Sequence, residues 1–387
     1  QLADYLYKIA TYNAPKQITV IVNPTDTDTN SFSKEEKALV KNEHFPSLVD
    51  VFNSLKNEYL YEEEVDDNDL VLGAIEGMAS RVKDKYTVFQ RAEAGQTFMD
   101  SLSNEYEGIG IQFEMIDENF TVITPFRGSP AEEAGLLPND IIKEVDGISI
   151  LEMTQEEVVS KIKGSAGTKV KLTIFREGKT LYFTIERKKI TYKTTNLTFE
   201  KSGDKNIAVV EILGFNIDTY QEFEAAADQI VEQKADGIIL DLRNNPGGFV
   251  DVAVAMISLF TDREKTAVKM VDKNKNEQEY KTTKNGILKD YKGKTVILVN
   301  GGSASAAEIM AGALKDYGVA TIMGEKTFGK GTVQTLKQYE DGSLFKYTIA
   351  KWFTPNGLDI SEKSLMPSII VKDSKMQMQK ALEQFLK

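Results

Sequence analysis

The chain has 387 residues, 41% hydrophobic and 27% charged, enough for two or three domains with buried cores. Its 59 acidic against 47 basic side chains give a net charge of -12, which repels phosphate backbones and argues against nucleic acid as a partner. The absence of cysteine excludes disulfides, thiolate zinc sites and a cysteine nucleophile, and no apolar run approaches the ~18–20 residues that span a bilayer.

The chain starts at Gln1, and a signal peptide or membrane anchor ahead of it is compatible with the sequence. Residues 1–31 hold a strand-like "QITVIV" and a polar linker, "NPTDTDTN". Helices follow from Ser33, whose "SKEE" is a capping box with Glu36. Leu48, Val51, Phe52, Leu55 and Tyr59 then recur at helical spacing. The next helix, "DNDLVLGAIEGMASRV", opens on Asp67, Asn68 and Asp69, and its small residues Gly73, Ala74 and Gly77 are expected to pack against neighbours.

Between about 105 and 190 short strands dominate: "IGIQFEM", "FTVITPF", "DIIKEVDG" and a hairpin turning at Glu177-Gly178. Two short helices interrupt them, near "SPAEEAG" and "TQEEVVSKI". After 191 strands and helices alternate: "NIAVVEI", a helix over 218–233, "GIILDL", "VDVAVAMISLF", "TVILVN", a helix over 304–317 and "VATIMG". That alternation predicts a mostly parallel sheet with covered faces. A last amphipathic helix over 374–387 presents Met378, Ala381, Leu382 and Phe385 on one side.

The chemistry centres on "NGGSASAAEI" at 300–309, a strand, a glycine turn and then a helix. Such a turn exposes a side chain at the carboxyl end of a sheet, where α/β proteins place ligands. Ser305 is the candidate nucleophile, although Ser305-Ala306-Ala307-Glu308 also reads as a capping box, with Ser303 as an alternative cap. The single histidine, His44, lies far from every glycine-rich turn, so a Ser-His-Asp triad has no histidine. Lysine is the remaining base, as in Ser-Lys variants of the triad. An ordinary lysine is neutral only about once in a few thousand molecules at pH 7, so burial or a nearby positive charge must lower its pKa. Lowering it by ~3 units costs roughly 4 kcal/mol, which calls for walls that exclude water.

Lys330 in "TFGKGTVQ" fits, with Phe328 beside it and a glycine on each side. Gln334 is in reach of its ammonium if the chain bends at Gly331. An oxyanion hole can come from the amides of Gly247 or Gly248 in "DLRNNPGG" and of Ala306, although Pro-Gly-Gly also serves simply to turn the chain. In "YEGIGIQF", the run Gly108, Ile109, Gly110 and Ile111 offers successive amides to a carboxylate, beside a sheet edge able to accept an extended peptide. A plain hairpin start explains the same residues. No metal site or cofactor is expected.

Together these motifs resemble the carboxy-terminal processing, or tail-specific, proteases over most of residues 45–386. "LVLGAIEGMASRVKDKYTVF" is similar to the family's segment before its PDZ domain. "YEGIGIQF", "GSPAEEAGLLPNDIIKEVDG" and "KGSAGTKVKLTIFREG" resemble the PDZ domain itself. "DLRNNPGG", "GSASAAEIMAGALKDYG", "GEKTFGKGTVQ" and "TPNGLDI" follow the protease core in order. The resemblance implies Ser305 as nucleophile, Lys330 as general base and Gln334 as its orienting partner. It implies an oxyanion hole from Ala306 with Gly247 or Gly248. Departures are Ala307 for a serine, Lys85 for a proline, Ser364 and Ser368 for a glycine and an acid, and Lys163 for an arginine thought to couple PDZ binding to activity.

The fold class so implied is a multidomain α/β protein. A crotonase/ClpP-like α/β protease core (191–373) carries an inserted β-rich PDZ domain (105–190), helices over 32–104, an arm over 1–31 and a C-terminal helix over 374–387. The expected activity is a serine endopeptidase with a Ser-Lys dyad, cutting proteins near their C-terminal tails, which the PDZ domain binds. The expected partners are protein or peptide substrates with free C-termini and a second copy in a homodimer. The expected location is extracytoplasmic, with a membrane tether possible outside the chain. A catalytically silent tail-binding scaffold and an acyl-CoA enzyme are the competing classes. Intact Ser305, Lys330 and Gln334 argue against the first, and a PDZ-like module without a nucleotide-binding feature argues against the second.

Overall fold

The computed structural model describes residues 33–386 apart from Asn104, Asp117 and Arg127. The strand expected in "QITVIV" and the rest of the arm lie outside the described residues. The chain divides into a smaller unit ending at Arg91 and a larger one from Ala92 to Lys387. The helical region expected over 32–104 therefore straddles that division.

The smaller unit contains α1 (Lys34–Val40), α2 (Phe45–Asn57), α3 (Asp67–Ser80) and β1 (Val88–Gln90). The capping box forms: Ser33 Oγ accepts from Glu36 N at 3.1 Å, and the Glu36 carboxylate accepts from Ser33 N at 2.6 Å. Asp66, one residue before the expected cluster, caps α3 by accepting from Asp69 N at 2.8 Å. The apolar spacing of α2 is real but remains uncovered within this unit, with Leu48 50% and Val51 57% exposed. The packing expected at Gly73 and Gly77 is corrected, because a Cβ at either position would meet nothing within 4 Å. Only Ala79 of α3 is buried, so the face carrying these glycines is open. His44 is 82% exposed beside Glu43, a solvated residue as expected.

The larger unit begins with α4 (Ala92–Leu102), which the sequence reading did not separate, and β2 (Glu105–Gly108). The β-rich module then runs β3 (Ile111–Ile116), β4 (Asn119–Pro125), α5 (Pro130–Glu133), β5 (Ile141–Val145), β6 (Ile148–Ser149), α6 (Gln155–Ile162), β7 (Lys169–Arg176) and β8 (Lys179–Glu186). The strands form an antiparallel sheet in the order β3-β4-β5-β7-β8, with β6 on β5. Glu177 and Gly178 both take positive φ (48° and 79°), the two-residue hairpin turn whose twist matches its strands. Ile109, Val122, Leu136, Val158, Leu172 and Ile174 are buried in one continuous core. Arg187 donates to the carbonyls of Lys161, Ile162 and Lys169, which holds the end of α6 on the sheet. β9 (Lys188–Thr191) then returns to pair antiparallel with β2.

The remaining chain carries β10 (Thr195–Ser202), β11 (Lys205–Ile212), α7 (Thr219–Glu232), β12 (Gly237–Asp241), α8 (Val250–Ser258), β13 (Thr266–Asp272) and β14 (Glu277–Lys281). It continues with β15 (Lys294–Val299), α9 (Ala306–Asp316), β16 (Ala320–Gly324), β17 (Thr332–Gln338), β18 (Leu344–Phe353), α10 (Ile360–Lys363), β19 (Ile369–Ile370) and α11 (Ser374–Glu383). The central sheet has the order β10-β11-β12-β15-β16-β19, parallel except for the β10–β11 pair. Every residue of β12 is buried, as a strand covered on both faces requires. α11 closes one face, with Ala381 and Phe385 packed on Ile207, Ile239, Leu298 and Met323. Gly237 permits this approach, since a Cβ there would stand 2.2 Å from the Phe385 ring.

A second, antiparallel sheet joins β17 to β18, β18 to β13 and β13 to β14. The sequence reading missed it, because its strands mix lysine, glutamate and threonine with apolar residues and are half-buried. Ser364, where the resembled family has glycine, keeps a left-handed backbone at φ 52°. A non-glycine residue is strained there, so Ser364→Gly is expected to raise stability by roughly 1 kcal/mol. Urea denaturation of parent and variant measures it.

Candidate active site

The expected nucleophile sits where β15 ends. Ser303 Oγ donates to Leu242 O at 2.7 Å and accepts from Asn300 N at 2.9 Å, and it is fully buried. Ser303 therefore fastens the turn to the end of β12 and is not the alternative helix cap considered above. Ser305 follows at φ 54° and ψ -117°, a strained backbone for any residue but glycine. Such strain at a sharp strand-to-helix turn is how a nucleophile is held out of the helix. Ala306 and Ala307 behind it are fully buried, so Ala307 fills a packed position.

Beside this turn runs "NNPGG". Asn245 is fully buried. Its Nδ2 donates to Ile212 O at 2.6 Å, its Oδ1 accepts from Gly247 N at 2.9 Å, and its carbonyl accepts from Ala304 N at 2.9 Å. A Cβ built on Gly247 would lie 2.8 Å from Ser305 Cβ and 2.9 Å from Ala306 N, so only glycine lets the two turns meet. The Gly247 amide is thus already engaged. Among the described residues, the Gly248 and Ala306 amides donate to nothing.

Lys330 lies at the entry to β17. Its carbonyl accepts from Trp352 Nε1 at 2.8 Å, and Trp352, the sole tryptophan, is fully buried. Lys330 and Ser305 line one cavity of about 440 Å³ together with Gln334, Gly247, Gly248 and Ile309. Gln334 Nε2 donates to Thr332 Oγ1 at 2.9 Å and to Thr348 Oγ1 at 3.1 Å, which leaves its Oε1 as the free acceptor. The β17–β18 register shifts between Val333 and Gln334.

The residue that sequence reasoning undervalued is Glu308. Its side chain is fully buried, and its Oε2 accepts from both Ser305 N and Lys330 N at 2.9 Å. The two backbone nitrogens are therefore within two hydrogen-bond lengths of each other. Oε1 accepts from Thr327 Oγ1 at 2.5 Å and Gly329 N at 2.9 Å. Burial pushes the carboxyl upward, while these donors pull the other way. The capping-box spacing flagged Glu308 as a partner of Ser305, but its grip on the lysine loop spans 22 residues and has no local signal.

The glycine run of the β-rich module lies on a second cavity of about 1090 Å³, lined by Gly108, Ile109, Gly110 and Ile111 and by Val159 and Ile162 of α6. β3 is the edge strand of its sheet. Lys163 holds its ammonium 5.0 Å from the Tyr106 ring centre, and burial lowers its pKa. Burial pushes the Tyr106 phenol up to about 12, with the Gly110 amide opposing. Ser101, Tyr192 and Leu213 line both cavities, which therefore adjoin.

Comparison with known proteins agrees with this architecture. Residues 206–371 match peptidase family S41, residues 108–186 a PDZ domain and residues 7–94 the N-terminal domain of the activating protease CtpB. The chain is 39% identical to the carboxy-terminal processing protease CtpA of Bacillus subtilis, across 89% of this chain and 72% of that protein. It belongs to the carboxy-terminal processing proteases. As a member it is a serine-type peptidase with a PDZ domain. A CtpA-like serine protease of Staphylococcus epidermidis is 38% identical over 90% of this chain and 68% of its own. Among solved structures, the photosystem II D1 C-terminal processing protease superposes with a TM-score of 0.54 at 26% identity, covering 87% of this chain and 95% of that one.

Proposed function

We propose that this family member is a serine endopeptidase working through a Ser305–Lys330 dyad on the C-terminal regions of proteins. The observation that carries the reading is the shared Glu308 oxygen, which ties a strained serine turn to the lysine loop at the wall of one cavity. Lys330 Nζ takes the Ser305 hydroxyl proton as Oγ bonds to the scissile carbonyl carbon. The oxyanion receives the Gly248 and Ala306 amides, the pair with open donors. Collapse breaks the C–N bond, and the lysine proton passes to the leaving amine. Water then gives its proton to Lys330 and attacks the ester, and the adduct expels Ser305 Oγ, which takes that proton back from the ammonium. Gln334 Oε1 orients the ammonium while Thr332 and Thr348 hold the amide.

The PDZ segment Gly108–Ile111 receives the substrate's terminal carboxylate, and the adjoining cavities offer a route from there to Ser305. Substrates ending in a free acid are expected to be cut at least ~10-fold faster than the same chains ending in an amide. Mass spectrometry of matched digests tests this, and equal rates would remove the tail-anchoring role.

The same reading takes the core as crotonase-like, given its parallel sheet flanked by helices, and keeps the division into arm (1–31), helices (32–104), PDZ (105–190), core (191–373) and C-terminal helix (374–387). A homodimer is supported by the open apolar residues of the smaller unit, Leu48, Val49 and Val51 on α2 among them. Light scattering at micromolar concentration is expected to give twice the chain mass, and a single-chain mass would rule the dimer out. We place the protein outside the cytoplasmic membrane on family likeness, with any tether outside the chain. Among the described residues no helix is long and apolar enough to cross a membrane.

A further inference from the structure

The catalytic cavity holds a second lysine that the mechanism above does not use. Lys346 lies on β18 directly across from Leu336 on β17, and both line the cavity with Ser305 and Lys330. Its ammonium stands 4.8 Å from the centre of the Phe98 ring, a cation–π contact that holds it against an apolar wall. Among the described residues it has no carboxylate and no hydrogen-bond acceptor as partner. By contrast, Lys188 and Lys284 each stand beside a glutamate.

The lining itself sharpens the point. In a chain of net charge -12, the cavity wall contains two lysines and no acidic residue. One lysine serves the serine, and the other is half-buried with its charge uncompensated. Burial accordingly lowers its pKa. A half-buried cation whose partner is only an aromatic face costs free energy that an anionic ligand would recover.

We propose that Lys346 is a specificity residue that pairs with a carboxylate of the bound substrate chain close to the scissile bond. The inference rests on the peptidase reading of the cavity. The chemistry is shared by two sources, an acidic side chain flanking the cut and the terminal carboxylate of a substrate cut close to its end. A charge-assisted pair in a partly dry cleft is expected to be worth about 10- to 100-fold in kcat/KM.

The test uses the full chain and fluorogenic peptides that carry Glu, Gln or Lys in turn at each position flanking the cut. A parallel set ends two residues beyond the cut as free acid or amide. The parent is expected to prefer Glu over Gln at one flanking position, Lys346→Met to flatten that ratio and Lys346→Arg to keep it. Lys346→Glu is expected to turn the preference toward Lys, a reversal that a merely unstable variant cannot produce. A flat Glu/Gln ratio with an acid/amide ratio that collapses in Lys346→Met assigns the carboxylate to the chain terminus. A parent that cuts all peptides equally, or ratios unmoved in Lys346→Met, overturns this proposal alone. A parent that cuts none of them overturns the peptidase reading and this proposal with it.

Discussion

Ser305→Ala and Lys330→Ala are each expected to lower kcat by about 10⁴-fold or more, and the double variant to be scarcely worse than either. Non-additivity follows if, as proposed, the two side chains perform one step. Without the lysine the hydroxyl loses its proposed proton acceptor, and His44, the only histidine, is 82% exposed beside Glu43. Residual cleavage over water would come from the oxyanion donors and substrate binding. On the proposed mechanism the base is a neutral lysine, so kcat/KM is expected to rise with pH along a single ionisation and to reach an alkaline plateau. A casein digest followed at several pH values, with thermal melts of each variant, measures both effects. Activity that survives both substitutions would show that the wrong residues have been named.

Glu308→Ala is the second large effect. It removes one acceptor oxygen shared by Ser305 N and Lys330 N and another shared by Gly329 N and Thr327 Oγ1. Four donors lose their acceptor at ~1–3 kcal/mol each when fully buried, but three of the bonds are part-buried and open to water, so a stability loss of about 3–5 kcal/mol is expected. Glu308→Gln keeps the shape but turns an NH2 group toward amide donors, and should retain the fold better. Because the serine turn and the lysine loop then lose their common anchor, kcat for Glu308→Gln is expected to fall roughly 100-fold with KM little changed. A chemical denaturation series and steady-state kinetics on the same samples separate the two losses. A Glu308→Gln enzyme with parental kcat would reduce this carboxylate to a packing role.

Much of this could be read along the chain because the deciding signals were local. The Glu177-Gly178 turn, the Ser33–Glu36 capping box and the apolar run of β12 depend on residues a few positions apart, and each took the form expected. The serine turn was recognisable for the same reason, being a strand, two glycines and a helix start in succession. By contrast, Gly73 and Gly77 were read as packing residues because glycine in a helix has no other local meaning, whereas their faces are open. The β17–β18–β13–β14 sheet escaped because its half-buried strands carry charged residues on one face, which weakens the alternation that marks a strand.

By itself, the order of residues picked out the candidate reactive groups: one serine at a helix mouth, a lysine between glycines, no cysteine and a single histidine far along the chain from every glycine-rich turn. It also determined the fold class, since alternating strands and helices leave a parallel sheet few arrangements. Tertiary structure alone decided how those groups are held. Glu308 joins loops distant in sequence, Asn245 occupies the Gly247 amide and so leaves Gly248 as the open donor, and the fold sets Lys346 beside Phe98 with no acid paired to it among the described residues. These are facts about which backbone amides and charges meet when distant segments fold together. A hydrogen bond or an unpaired charge is a property of two or more sites at once, so no reading of one segment can contain it.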